Sequence, residues 1–310
     1  MSNYKRPSLK NHFSRTAAAF SGAVFFVFAF FSACSSAPRM PEEVFVIRNT
    51  AANHLNLANY NASQGRFEDA LIILEEAWRL ALSTDDPPLR VNAATSRGSI
   101  LFSLGRYEEA FAAWENASVE GEASGLRLPA ARARIYSIRA RLVQLSNAYP
   151  EGGQAADAEA GRLREQVLQE LAVVRADTGA VAAGYLTLGM AEKQLRRWAE
   201  AENAAVRALG IYERSRLLED AAYAWFIIAS IRSVSGNHNA ALEALRTAIS
   251  FDRRAENGFG LASSWHAMGD VYRNAGRSGE SQAAHRRAAD IYRAIGLYDR
   301  AEELESFLRQ

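Results

Sequence analysis

The residue types that perform chemistry in proteins are scarce and scattered in this chain. Its five histidines are His12, His54, His238, His266 and His285. No two stand at the i, i+4 spacing of a helical zinc pair, so no metal ligation and no cofactor is expected. Cysteine occurs once, at Cys34, which excludes an internal disulfide. The three lysines, Lys5, Lys10 and Lys193, leave little material for Schiff-base or phosphate-cradling chemistry. The acidic pairs Glu42-Glu43, Glu75-Glu76, Glu108-Glu109 and Glu302-Glu303 are sequence neighbours. Glycoside hydrolysis needs two carboxylates facing across a cleft; on helices these pairs read instead as solvated faces with arginines one turn away. Gly258-Phe259-Gly260 precedes a helical pattern with no strand before it, so it reads as a turn between helices. No Gly-x-Ser-x-Gly elbow or glycine loop followed by lysine occurs. The expectation is a protein that binds and does not catalyse.

Composition narrows the class further. Nearly half of the 310 residues are hydrophobic, alanine is abundant and proline sparse, which favours a large helical core over disorder. The net charge of +1 conceals a split. Lys5, Arg6, Lys10 and Arg15 precede Cys34 with no acidic residue among them; without them the chain has 32 basic and 35 acidic residues. No strongly basic domain exists, so nucleic acid is not an expected partner.

The basic start, the apolar run from Ala17 to Ala33 and the small residues before Cys34 read as a secretory signal over residues 1–33. The run of 17 residues is marginal for a bilayer span, which takes roughly 20. Phe31-Ser32-Ala33-Cys34 resembles the lipobox of bacterial lipoproteins, with Phe31 where leucine is usual. The resemblance implies acylation of Cys34 with fatty acids such as palmitate, a tether over 34–48, and residence in the bacterial cell envelope at the periplasmic face or outer membrane. Several acyl chains would hold stably where one holds only marginally.

The remainder repeats itself. Gly65-Arg66-Phe67-Glu68-Asp69-Ala70 is echoed by Gly105-Arg106-Tyr107-Glu108-Glu109-Ala110. Further echoes are Arg196-Arg197-Trp198-Ala199-Glu200-Ala201, Gly236-Asn237-His238-Asn239-Ala240-Ala241 and Gly276-Arg277-Ser278-Gly279-Glu280-Ser281. Three of the four intervals are 40 residues; the fourth is 91, two periods plus an eleven-residue insertion. Such periods mean a stacked solenoid. The glycine would end one helix in a left-handed conformation, and the alanine would let the next helix approach closely. The last three signatures follow a helix with an aromatic, an apolar residue three on and a small residue, at Tyr185…Leu188-Gly189, Trp225…Ile228-Ala229 and Trp265…Met268-Gly269. Every signature precedes a second small residue, at Ala77, Ala117, Ala208, Ala248 or Ala288. These residues resemble the tetratricopeptide repeat family, in a long-helix form, with Ser281 where alanine is usual.

The pattern predicts an all-α, right-handed superhelical solenoid over residues 49–310. It comprises six hairpins at roughly 49–81, 88–121, 127–176, 180–213, 218–254 and 259–294, and a capping helix at 298–309. Hairpin three is degenerate: an apolar stripe runs through Ala131, Ile135, Ile138, Leu142 and Leu145, and residues 146–154 form a turn-rich insertion. Its arginines, Arg127, Arg132, Arg134, Arg139 and Arg141, fall on both sides of that stripe and read as a salt-bridged face, with a site for phosphate or an acidic peptide as the alternative.

The resemblance implies that first helices line a concave groove for an extended peptide or a partner's helix. Transferred repeat by repeat, the groove candidates are Leu55 and Asn59; Thr95, Ser99 and Phe102; Tyr136; Leu186, Met190 and Lys193; Phe226 and Ser230; and His266, Asp270 and Arg273. The lysine and asparagine clamp that some relatives use for a C-terminal carboxylate is not reproduced. The expected partners are other envelope proteins or peptides, engaged by a lipid-anchored scaffold. A sensor holding a peptide or hydrophobic ligand, and a surface adhesin, are the alternatives.

Overall fold

The computed structural model describes residues 45–150 and 152–308. These form thirteen α-helices and no strand: α1 Val46–Ser63, α2 Phe67–Ser83, α3 Pro87–Ser103, α4 Tyr107–Ala123, α5 Arg127–Ala148, α6 Gln154–Val173, α7 Thr178–Gln194, α8 Trp198–Arg214, α9 Leu218–Val234, α10 His238–Ala255, α11 Gly258–Asn274, α12 Ser278–Ala294 and α13 Tyr298–Leu308. The six expected hairpins and the terminal helix are all present, and the first helix starts three residues earlier than expected. The signal segment, Cys34 and all but the end of the tether lie outside the described residues. No described helix is long and apolar enough to cross a membrane.

Most helices are 17 residues long and are joined by one repeated turn. A residue with positive φ stands at 65, 85, 105 and 125, and again at 196, 216, 236, 256, 276 and 296. The unit of the fold is therefore a 20-residue helix and turn, half the period visible in sequence. At each turn two backbone bonds close the helix end. After α1, the Gly65 N–H donates to Ala62 at 3.0 Å and the Arg66 N–H to Asn61 at 2.9 Å, the pairing that satisfies the last carbonyls of a helix. At the opposite ends, Asp86, Asp177, Asn237 and Asn257 accept from the backbone three residues on.

Four of these left-handed positions are not glycine: Asp85, Arg196, Arg216 and Glu256. A Cβ there costs about 1–2 kcal/mol, part of which glycine returns through its freer unfolded chain. Arg216→Gly is accordingly expected to stabilise the fold by about 0.5–1 kcal/mol. Chemical denaturation monitored by circular dichroism reads this directly; a loss of stability would contradict the turn assignment.

Within each hairpin the helices approach on small residues. Ala70, Ala110, Ala201 and Ala241 are fully buried and Ser281 nearly so, as are Ala77, Ala117, Ala208, Ala248 and Ala288. A third position shows how volume is shared across the seam. The first helix carries Ala58, Gly98, Gly189, Ala229 or Gly269, and sixteen residues later the second carries Leu74, Trp114, Ala205, Leu245 or His285. Alanine faces leucine; glycine faces a ring, or a backbone drawn close. A Cβ on Gly98 would lie 2.6–2.8 Å from the Trp114 indole, and one on Gly189 2.9 Å from the Ala201 carbonyl.

First helices touch one another in the order α1, α3, α5, α7, α9, α11, whereas the second helices α2, α4, α8, α10 and α12 make no contacts among themselves. First helices are thus the inner layer of the superhelix. The inner layer also closes, because α11 contacts α1. Phe259 meets Phe67 edge-on with ring centres 5.2 Å apart. The Gln64 amide donates to the Glu256 carbonyl, Ile295 packs on Gly65, and Arg300 donates to the Ser103 carbonyl at 2.6 Å. Gly258-Phe259-Gly260, expected as the turn between two hairpins, is instead the first turn of α11, capped by Asn257, and its phenylalanine is the centre of this closing seam.

Candidate functional site

The interior of the circuit brings α5, α7 and α9 together around Arg139. Its Nε donates to Thr187 Oγ1 at 3.1 Å and its Nη2 to the Ala183 carbonyl at 2.9 Å. The guanidinium lies 5.2 Å from the Tyr136 ring centre and 5.6 Å from that of Tyr223, positions that favour cation–π attraction. Tyr223 in turn stacks on Phe226, with the rings 13° from parallel. All four side chains are half-buried. Aromatic and arginine side chains with part of their surface still to bury are the usual anchors of protein interfaces.

Charge on this face is strained by burial. Desolvation pushes the Asp220 carboxyl above the usual carboxylate range, opposed by Arg139. It pushes Glu219 up as well, aided by the neighbouring Asp220 charge, while Ser63 of α1 pulls the other way. Both acids occupy the first turn of α9, where the helix dipole favours negative charge. Burial pushes the Lys193 ammonium down, and its Nζ donates to Ser230 Oγ at 3.1 Å. A partner that displaces water here meets aromatic surface flanked by acids at one end and a lysine further along α7.

The sequence-derived groove residues divide. Lys193 with Ser230, and His266 with Asp270 and Arg273, are brought together: the Arg273 guanidinium donates to Asp270 at 2.8 Å, and His266 lies 3.8 Å from the other carboxylate oxygen. Tyr136 and Phe226 are half-buried on the inner helices. Asn59 and Ser99 are exposed on α1 and α3, and Leu55 is half-buried. Phe102 packs on Tyr107 and Trp114 within its own hairpin, and Thr95 is buried. Leu186 and Met190 are core residues, at 0% and 6% exposure. They pack in one cluster with Ile138 and Leu142, because the long α5 lies over α7 and covers the positions that Phe226 and Ser230 hold open in α9.

Three residues at the centre were not among the candidates: Arg139, Tyr223 and Asp220. Of the hairpin-three arginines, Arg134 pairs with Glu170 and Glu122 at 2.7 and 3.0 Å and Arg132 with Asp177, as a salt-bridged face would. Arg139 alone among these three turns inward. The spacing of Tyr136 and Arg139, one helical turn apart, was the available signal.

A cleft of about 400 Å³ lies on the outer side between α2, α3 and α4, lined by Leu74, Trp78, Arg97 and Asn116. An ion pair between Arg97 and Glu75, 3.2 Å apart, stands at its edge.

The tetratricopeptide repeat family model matches residues 55–84, which cover the second half of α1 and α2. A crystal structure of a Rap protein complexed with competence and sporulation factor aligns over 84% of this chain and 74% of its own length, with 14% identity and a TM-score of 0.52. A signal-transduction ATPase with a tetratricopeptide repeat sensor from Pyrococcus horikoshii aligns over 78% of this chain and 42% of its own, with 15% identity and a TM-score of 0.48. The repeats of a kinesin light chain of Podosopora anserina align over 66% and 94%, with 16% identity and a TM-score of 0.43. No curated protein matches the chain.

Proposed function

We propose, from the premise that this chain is a tetratricopeptide repeat protein, that it is a lipid-anchored scaffold of the bacterial cell envelope. The fold is suited to protein–protein interaction; the finer reading is that the inner helices grip a segment of an envelope partner, without catalysis. The observation that supports it is the half-buried set Tyr136, Arg139, Tyr223 and Phe226 on α5 and α9. The anchor rests on Cys34, the single cysteine, standing where the signal segment ends.

A photoreactive phenylalanine analogue at position 226 is expected to capture a discrete partner in intact envelopes of the source cell. The same analogue at Val206, exposed on the outer helix α8, is not. Equal capture from both positions, or none from 226, would remove the inner-face assignment. Cys34→Ser is expected in parallel to move the protein from the membrane to the soluble fraction; unchanged sedimentation would remove the anchor.

Closure of α11 onto α1 favours a second reading, a sensor that encloses a peptide or hydrophobic ligand. Native mass spectrometry separates the two, because a sensor purified gently carries the mass of its ligand.

A further inference from the structure

We propose that His266, Asp270 and His285 form a binding site for a divalent transition-metal ion of the zinc class. The residues belong to one hairpin. His266 and Asp270 are four apart on α11 and share a face of it, and His285 reaches them from α12. One donor atom from each of the three can be chosen so that all lie within 4.8 Å of one another. His285 Nε2 is 3.3 Å from Asp270 Oδ1, and His266 Nε2 is 3.8 Å from Asp270 Oδ2. A tetrahedron with metal–ligand bonds of about 2.0–2.1 Å has edges of roughly 3.3–3.4 Å, so the three donors, now within 4.8 Å of one another, would have to be drawn together by rotation of His266 and of the carboxylate. The two imidazoles meet at 81° with centres 5.5 Å apart, converging on the carboxylate instead of stacking on each other.

The chemistry of the set fits the same class. Two imidazole nitrogens and one carboxylate oxygen are ligands of zinc and of related borderline ions, whereas calcium and magnesium take oxygen ligands. Three protein ligands leave a fourth position for water or for a side chain of a partner. Access matches this: the His285 side chain is 1% exposed and forms the floor, while those of His266 and Asp270, 41% and 39% exposed, form an open mouth. Gly269 makes room for the His285 ring, since a Cβ there would lie 2.2 Å from the imidazole. Arg273 donates at 2.8 Å to the Asp270 oxygen that faces His285, the kind of outer contact that orients metal ligands. The simpler alternative is that Asp270 and His285 only pin α11 to α12. It predicts no metal binding at all.

The full chain in detergent, freed of metal by chelation, is titrated with Co²⁺ and then Zn²⁺. The expected result is one equivalent of Co²⁺ bound, with ligand-field absorption in the visible that Zn²⁺ abolishes. His266→Ala and Asp270→Asn replace half-exposed side chains and are expected to keep the helical circular dichroism of the parent. Each should weaken binding at least tenfold. A rise in melting temperature on adding Zn²⁺ to the parent, absent in Asp270→Asn, gives a second readout if either variant proves less stable. Absence of binding in the parent, or affinity unchanged in both variants, would overturn the proposal and leave a structural His–Asp contact. Partner capture at position 226 does not depend on this site, so the two proposals fail separately.

Discussion

Gly98→Ala is expected to destabilise the protein by about 1–3 kcal/mol, the usual cost of forcing an extra carbon into a packed crossing. The new methyl would fall 2.6–2.8 Å from three atoms of the Trp114 indole. That ring has little freedom to retreat. It is 3% exposed, and its Nε1 donates to the Thr95 carbonyl at 3.1 Å. The other hairpins indicate the remedy, since Ala58 faces Leu74 and Ala229 faces Leu245. In a Trp114→Leu background the alanine should therefore cost almost nothing, although Trp114→Leu is itself destabilising. A double-mutant cycle by urea denaturation measures the coupling. Equal costs for the alanine in both backgrounds would show that the seam is not governed by this pair of volumes.

Asp252→Asn is expected to remove a pH dependence of stability. Asp252 stands in the last turn of α10 at 2% exposure, at the helix end whose dipole opposes negative charge. Burial pushes its carboxyl up to about 7, although Asn257 donates to it at 2.9 Å and Ser264 lies nearby. The unfolded chain releases this proton at about pH 3.9, whereas the folded chain keeps it to about pH 7. Between those values the folded state binds more protons, so stability falls as pH rises from about 4 to about 7 and is level above. Each unit of difference is worth about 1.4 kcal/mol, so the whole effect is on the order of a few kcal/mol. Glu219 and Asp220 are shifted upward as well and slope the same way. Asparagine preserves the hydrogen-bonding capacity without the charge. It should stabilise the protein at pH 8 and leave it nearly unchanged at pH 4. A gain of equal size at both pH values would mean that the carboxyl is not the titrating group.

The hairpins were legible because their determinants are local. Glycine at a left-handed turn, alanine at a seam and an aromatic beside it recur at fixed spacing, and each acts within about forty residues. The finer 20-residue unit stayed hidden because Asp85, Arg216 and Glu256 occupy turns between hairpins, where glycine would have announced it. Leu186 and Met190 occupy the same repeat positions as Phe226 and Ser230, yet they are core. What decides the difference is how closely α5 packs on α7, a property of a neighbouring hairpin. The His266–Asp270–His285 group escaped notice for a related reason. Sequence spacing exposes histidine pairs on one helix, whereas this set mixes residue types and draws on two helices. Closure is the least local feature: Gln64 and Glu256 are 192 positions apart, and no periodicity marks them as neighbours.

That closure also makes the number of repeats a quantity the fold can count. An open solenoid gains or loses a unit by remaking one interface, and its length drifts freely in evolution. Here an inserted hairpin would part Phe67 from Phe259 and Arg300 from Ser103, exposing both faces at once. A deleted hairpin would drive the two ends into each other. Variation in this protein is therefore expected in the loop around Tyr149 and on the outer helices, with the tally of hairpins held fixed.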